Sequence, residues 1–150
     1  MQQLTVVDSF HGDYEMFSNF YSVNILYESI DYPTVEHAFV AAKSMDMLFR
    51  RRVSQIPVKQ AGKAKRMGRK CKLRENWDLM KVSVMKRLLI QKFTHDKFRN
   101  LLLSTGQQEL IEGNYWHDNF WGDCYCKKCT SIIGKNMLGK LLMEVRDEVV

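Results

Sequence analysis

Tyr32-Pro33-Thr34-Val35-Glu36-His37-Ala38-Phe39-Val40-Ala41-Ala42-Lys43 reads as the beginning of a helix. The ring of Pro33 holds Tyr32 extended, because it clashes with a helical conformation at the preceding residue. Thr34 is placed to cap the helix by accepting from a backbone N–H of the first turn. Val35, Ala38, Phe39, Ala42 and Met45 recur at helical spacing and predict a packed stripe. Glu36, Val40 and Lys43 fall on a second face beside it. Glu36 and Lys43 therefore point the same way but stand roughly 10 Å apart along the axis. That is too far for the direct ion pair formed at a spacing of four. A carboxylate and an amine aimed to one side, with a gap between them, can hold a ligand; two solvated surface charges are the plainer alternative.

Before this helix, residues 4–7 form a short apolar run that predicts a strand, and 8–15 are polar and predict a loop. In Phe17-Ser18-Asn19-Phe20-Tyr21, aromatics flank a Ser-Asn pair. The asparagine offers donor and acceptor together, and the rings can flank a flat group; a turn with buried aromatics fits equally. Residues 23–27 and 29–32 predict two strands joined around Glu28. After the helix, Asp46 predicts a cap for a short basic helix through Val53 that contains Arg50-Arg51-Arg52. Pro57 suits a helix start, residues 58–67 a helix, and Gly68 its stop. Residues 59–74 hold eight Lys or Arg and no acid. Lys59, Lys63, Arg66 and Lys70 share a face there, able to meet phosphates or simply solvated. Asn76 caps a long helix from Trp77 to about Phe93, whose buried stripe is Trp77, Met80, Val84 and Leu88, widened by Met85 and Leu89. Asp96 caps a helix over 97–104 that Gly106 ends. Residues 109–112 predict a strand. A last helix runs over 136–149 with Leu138, Leu141, Leu142, Val145 and Val149 inward.

With 150 residues and 45% apolar content, the chain suits one domain, 1–150, with a real core. No linker, repeat or low-complexity tract interrupts it. No stretch has the length and apolarity of a membrane span, and the N-terminus lacks the basic and apolar regions of a signal peptide. A cytoplasmic protein is the expectation, with its four cysteines as thiols or metal ligands rather than disulfides. The net charge of +6 favours anionic partners. No obligate protein partner is evident.

His117-Asp118-Asn119-Phe120-Trp121-Gly122-Asp123-Cys124-Tyr125-Cys126-Lys127-Lys128-Cys129 is a loop dense in reactive groups. Cys124, Cys126 and Cys129 can bind zinc, with His117 or Cys71 as a fourth ligand. The spacing is not the paired Cys-x-x-Cys of a firm zinc site, and a loop of reduced thiols is the alternative. If present, such a zinc is structural.

The order Phe17-Ser18-Asn19-Phe20, then Thr34 to Phe39 with Ala42-Lys43, Met67-Gly68-Arg69, Leu73-Arg74-x-x-Trp77, Asp118-x-x-Trp121-Gly122, and Gly134-Lys135-Asn136-x-Leu138-Gly139-x-Leu141-Leu142-Met143-x-x-Arg146 closely resembles the YbiA-like, or NADAR (NAD and ADP-ribose), family. The resemblance spans about Phe17 to Arg146. It implies a single compact α+β domain, mostly helical with a small β-sheet, that hydrolyses an N-glycosidic bond on a ribose. It implies as substrate either a phosphoribosylamino-pyrimidine intermediate of the riboflavin pathway or ADP-ribose attached to guanine in nucleic acid. By the same resemblance, Glu36, Lys43 and Asp118 are the catalytic residues. Ser18, Asn19, Trp77, Trp121 and Gly122 are pocket residues by that resemblance, and Phe20, His37, Arg69 and Asn136 are expected to bind substrate beside them. The lysine equivalent to Lys43 is taken in such enzymes to attack the ribose C1 through a Schiff base. Many relatives carry a short glycine-rich turn after the Trp-Gly pair; the cysteines stand there instead, which puts the role of Asp123 in question.

The same chemistry follows from the residue types. Cleaving a base from ribose builds positive charge at C1, which a carboxylate stabilises while an acid helps the base depart. A lysine amine can instead add to C1 if burial or a neighbouring cation lowers its pKa. Asp118 or Asp123 can supply a second carboxylate, Trp121 or Phe20 can stack on the base, and Arg69 or Arg74 can hold a phosphate. The chemistry requires no metal or redox cofactor. Two other readings compete: a non-catalytic ADP-ribose or nucleotide-binding module, which does not require both Glu36 and Lys43, and a basic nucleic-acid-binding protein, which would bind plain nucleic acid with steep salt dependence.

Overall fold

The structure, a computed structural model, describes residues 5–150. In chain order its elements are β1 (Val6–Val7), β2 (Ile25–Tyr27), β3 (Ile30–Tyr32), α1 (Val35–Ala42), α2 (Met47–Ser54), α3 (Ala61–Lys70), α4 (Trp77–Phe93), α5 (Asp96–Ser104), β4 (Glu109–Leu110), β5 (Gly113–Asn114), β6 (Asp123–Cys124) and α6 (Met137–Glu148). The fold is α+β and mostly helical. Among the described residues the strands pair as three two-stranded ribbons rather than in one sheet. Leu4, which the sequence joins to the first strand, lies outside the described residues. The chain divides into two compact units, a middle one over Asn19–Lys92 and a terminal one made of the residues up to Ser18 with Phe93–Val150.

In the middle unit, β2 and β3 form an antiparallel hairpin with Ile25 opposite Tyr32 and Tyr27 opposite Ile30. Its two-residue turn, Glu28-Ser29, has φ of 44° and 73°. This is the left-handed pair that matches strand twist and usually calls for Asn-Gly. Glu28 is anchored by Arg50, whose Nη1 lies 2.6 Å from its carboxylate. The sequence places Arg50 in the basic run Arg50-Arg51-Arg52, and unlike its two neighbours it is buried, at 1% exposed. Its Nε donates to the Ser44 carbonyl at 2.7 Å, and its guanidinium lies over the Tyr27 ring. A buried guanidinium is tolerated because these partners replace its water.

The helix α1 starts as its sequence predicts, with the Thr34 hydroxyl accepting from the His37 N–H. The Asn19 carbonyl accepts from the Glu36 N–H. The rest of α1 departs from an amphipathic pattern. Val35, Ala38, Val40, Ala41 and Ala42 have no exposed surface and Phe39 has little, because α2 and α3 both pack on this helix. Glu36 alone within it is not buried. Met45 does not join the stripe; the helix stops at Ala42 and Met45 is 59% exposed. Asp46 caps α2 through the N–H groups of Leu48 and Phe49. A turn of 3-10 helix over Val58–Gln60 precedes α3, which runs through Gly68 to Lys70. Gly68 is therefore not a stop. A Cβ there would sit 3.1 Å from Val40, so the glycine lets α3 approach α1 closely. Along α4, Trp77, Val84, Met85, Leu88 and Leu89 are buried, with Met80 half-buried.

In the terminal unit, β1 pairs parallel with β4, Val6 opposite Glu109, and β5 parallel with β6. The strand predicted over 109–112 ends at Leu110. Phe10, Phe17, Phe93 and Phe98 form a chain of tilted and edge-on rings. Asp96 is the first residue of α5 rather than its cap, which is His95; the carboxylate there still favours the positive end of the helix. In α6, Leu138, Leu141, Leu142 and Val145 are buried, while Val149 lies past the end and half-exposed. Gly139 leaves room for the Leu110 carbonyl, which a Cβ would meet at 2.0 Å. Among the described residues no helix is long and apolar enough to cross a membrane.

Candidate active site

Lys43 follows the last turn of α1, and its amine lies over the Phe39 ring at 5.6 Å. The amine also lies against Gly68, where a Cβ would come within 3.3 Å of it. A side chain on residue 68 would thus push the amine away. Burial lowers the Lys43 pKa from its ordinary value, chiefly by stripping water from the ammonium; Lys65 and Arg69 lower it further, while Glu36 and Cys71 pull it up. One lysine is therefore held between an aromatic face, a bare helix backbone, two cations and a carboxylate. Phe20 is part of the same surroundings: the Lys65 amine is 5.8 Å from its ring.

Two neighbours of Lys43 are absent from the sequence-derived site, Lys65 and Cys71. The spacing of Ala61, Ala64 and Gly68 carried the signal. These are the residues of α3 that are buried, and Lys65 and Arg69 flank that small-residue stripe. The face that the sequence offers as a phosphate stripe, Lys59, Lys63, Arg66 and Lys70, is the solvent side. The Cys71 thiol lies 3.5 Å from the Gly68 carbonyl, and desolvation raises its pKa against the opposing pull of Lys43.

Other expected residues of the middle unit hold the scaffold. His37 is completely buried, with Nε2 3.0 Å from the Ile56 carbonyl and Nδ1 2.6 Å from the Thr34 hydroxyl. A carbonyl only accepts, so Nε2 carries the proton and Nδ1 accepts from Thr34. With both nitrogens occupied, the ring holds α1 rather than a ligand. Trp77 is 5% exposed and packs on Phe39 at 5.2 Å, supporting the ring beneath Lys43. Arg74 is tied to the end of α1: its N–H donates to the Lys43 carbonyl at 2.7 Å and its guanidinium reaches the Ala42 carbonyl and the Tyr27 hydroxyl. Arg69 is exposed. Asn19 lies 3.6 Å from the Met85 sulfur through Nδ2, and its Oδ1 is buried with no hydrogen-bond partner among the described residues. A ligand donor or an ordered water would relieve that cost.

In the terminal unit, Ser18 ends the 3-10 turn Gly12–Phe17. Asp118 folds its own loop: Oδ1 accepts from the N–H groups of Phe120 and Trp121 at 3.1 and 2.9 Å. Trp121 is half-buried and edge-on to Phe120. Gly122 is a packing residue, since a Cβ there would lie 2.2 Å from the Glu112 carbonyl. The carbonyls of Phe120 and Trp121 accept from Met137 and Leu138, so the first N–H groups of α6 are already used. Asn136, expected to bind substrate, spends its side chain on the backbone: Nδ2 donates to Leu110 and Oδ1 accepts from Glu112. Its φ of 48° sets that geometry, which asparagine tolerates. Asp123 accepts from the Gly134 N–H. A groove of about 200 Å³ between Asp8, Trp116 and Tyr125 contains none of the expected site residues.

Fold and site together define a class, an α+β domain that keeps a desolvated lysine amine near a glutamate of the same helix. The profile of the NADAR domain matches residues 8–150, and the chain belongs to the NADAR domain family. It is 37% identical to the N-glycosidase YbiA of Escherichia coli (strain K12), over 99% of this chain and 91% of that one. It is 38% identical to the N-glycosidase Npun_R5314 of Nostoc punctiforme, over 91% and 86%. It is also similar, at 32% identity, to the riboflavin biosynthesis protein VVA0006 of Vibrio vulnificus, matching 36% of that longer chain. The NMR structure of the E. coli protein YbiA superimposes with a TM-score of 0.81 at 36% identity, covering 99% of this chain and 87% of that one.

Proposed function

We propose that the protein is an N-glycosidase, a hydrolase that releases a base from the C1 of a ribose, with Lys43 as nucleophile and Glu36 as its acid–base partner. The observation that carries this reading is the setting of Lys43: an amine desolvated against Phe39 and Gly68, with its pKa lowered, has an available lone pair at a pH where a surface lysine does not. In the reaction the amine adds to C1 as the C1–N bond to the base breaks, and the Glu36 carboxylate takes a proton from the added nitrogen and passes it to the departing base. The bond from C1 to the ring oxygen then breaks, that oxygen takes the remaining proton of the Lys43 nitrogen, and the opened sugar is held as an imine on Lys43. Water, deprotonated by Glu36, adds to the imine carbon; the lysine is expelled and the sugar released. The exposed Arg69 and the half-buried Lys65 suit the phosphate or diphosphate of the sugar, and Phe20 suits the face of the base.

Two substrate classes fit this site: a phosphoribosylamino-pyrimidine of the riboflavin pathway, and ADP-ribose joined to guanine in nucleic acid. The solvent-facing cations Lys59, Lys63, Arg66 and Lys70 favour the second, because a polyanion would meet them. The deciding experiment incubates the enzyme with ADP-ribosylated guanosine and with the pathway ribosylamine, and follows free base by mass spectrometry. Borohydride added during turnover should fix a sugar on the peptide containing Lys43. Lys43→Arg should bind substrate and fail to turn it over, since a guanidinium keeps the charge but not the nucleophile. If no adduct forms and Lys43→Arg keeps much of the rate, water attacks directly with help from Glu36. Release of neither base leaves the binding-module reading in its place.

A further inference from the structure

The loop after Trp121-Gly122 folds a second constellation that the glycosidase chemistry does not use. His117 Nδ1 lies 3.3 Å from Cys126 Sγ, 3.4 Å from Cys129 Sγ and 4.0 Å from Cys124 Sγ. All four ligand atoms fall within 4.8 Å of one another. Local structure brings them there. Cys124 ends β6, Cys129 ends a 3-10 turn over Lys127–Cys129 that Cys126 precedes, and His117 has a φ of 69°, a left-handed conformation that histidine adopts more readily than most residues. The backbone is thus turned so that one imidazole nitrogen faces three sulfurs. We propose that His117, Cys124, Cys126 and Cys129 form a structural zinc site.

Ligand type, number and spacing all agree with that metal. Three thiolates and an imidazole are a tetrahedral zinc set, and bonds of about 2.3 Å to sulfur and 2.0 Å to nitrogen put neighbouring ligand atoms about 3.8 Å apart. The widest pair need close by only about 1 Å to reach that geometry, within range of a side-chain rotation. Four protein ligands fill the tetrahedron and leave no position for water or substrate, so the metal is structural rather than catalytic. On binding, three thiols lose their protons to solvent, and three thiolates with a neutral imidazole leave one net negative charge around Zn²⁺. Lys127 and Lys128 are exposed in the same turn and offset it. Asn119 supplies the outer support that metal sites need. Its Nδ2 donates to Cys129 Sγ at 3.4 Å, its Oδ1 accepts from the Cys124 N–H, and its carbonyl accepts from Lys135. A disulfide would use two of the sulfurs and leave the third, with the imidazole, unexplained. Cys71, the other ligand considered, places its thiol against Gly68.

The test uses the intact chain purified under reducing conditions without chelator. Metal analysis should find about one zinc per chain. Of the four cysteines, only Cys71 should react with a thiol reagent until a chelator is added. Cobalt exchanged into the site should show the visible bands of a tetrahedral, thiolate-rich centre. Cys126→Ser, at the half-exposed ligand, should weaken or abolish those bands, whereas Cys71→Ser should leave them. Stripping should lower the thermal midpoint by roughly 5–10 °C, the shift expected for a chain of this size when a ligand at about a hundred times its Kd is removed. If Cys126→Ser does not fold, chelator competition on the parent reads the same affinity. Protein without zinc that takes up no cobalt and has four reactive thiols overturns the proposal.

Discussion

Lys43 and Glu36 act on each other, and their pH behaviour separates a nucleophilic amine from a bystander. Activity should rise with pH as the ammonium deprotonates and level off below 10.5, the ordinary lysine value from which Lys43 is lowered. Because the Glu36 charge raises the Lys43 pKa and Arg69 lowers it, Glu36→Gln should move that inflection to lower pH and Arg69→Gln to higher pH. A shift in the wrong direction, read from pH profiles of kcat/KM, would break the link between these groups. Glu36→Gln should also lower turnover about a hundredfold or more, a usual loss for a positioned acid–base group, with the thermal midpoint little changed. His37 affects stability instead. Its folded-state pKa lies below the ordinary 6.5, mainly through desolvation. The unfolded chain therefore binds a proton that the folded chain refuses. The His37 contribution is full above about 6.5 and is lost as pH falls toward the folded-state value. Denaturant titrations from pH 7.5 to 5 should show that loss, and His37→Asn should flatten it on a lower baseline.

At the scale of elements, the surroundings of Lys43 are made by the contact of α1 with α3. The small residues Ala61, Ala64 and Gly68 bring the helices close enough for the backbone at Gly68 to lie against the Lys43 amine. Gly68→Ala adds a methyl 3.1–3.3 Å from Val40 and the Lys43 amine. It should cost about 1–3 kcal/mol, the usual range for overpacking, and should reduce turnover more than the stability loss explains by displacing the nucleophile. Normal kcat with a lower melting temperature would show that the Lys43 amine tolerates the extra carbon. Reading Gly68 as a helix stop follows from local chemistry alone, because glycine after a helical run usually marks an end. Nothing local distinguishes that from a glycine placed for another helix to lie against.

At the scale of the whole molecule, charge is the lever. The net charge is +6, and the solvent face of α3 contributes Lys59, Lys63, Arg66 and Lys70. If the natural substrate is carried on nucleic acid, changing these four to glutamine should weaken its turnover and flatten its salt dependence, by about one unit of log–log slope for each phosphate no longer neutralised. Turnover of a small ribosylated base should stay within about twofold, because acid–base and nucleophilic groups are untouched. Equal effects on both substrates would remove the polyanion argument.

Much of this protein was legible in the residues alone, and the parts that were share a physical cause. Helix starts at Thr34 and Asp46, the hairpin around Glu28 and the apolar stripes of α4 and α6 depend on backbone geometry and periodicity within a few residues of the signal. The motifs that carry the family, with Glu36 and Lys43 on one helix, are also written in spacing. What only the tertiary structure decided concerns groups brought together from distant positions. Within Arg50-Arg51-Arg52 nothing in the sequence singles out Arg50, which is buried because Glu28 and the Ser44 carbonyl lie beside it. His37 and Asn136 looked like ligand-binding groups until their polar atoms met Ile56, Leu110 and Glu112. Lys65 and Cys71 entered the site only when α3 lay on α1. Burial, and with it every pKa shift and every satisfied polar group, depends on what the chain folds against a residue, and that partner stands far away in the sequence.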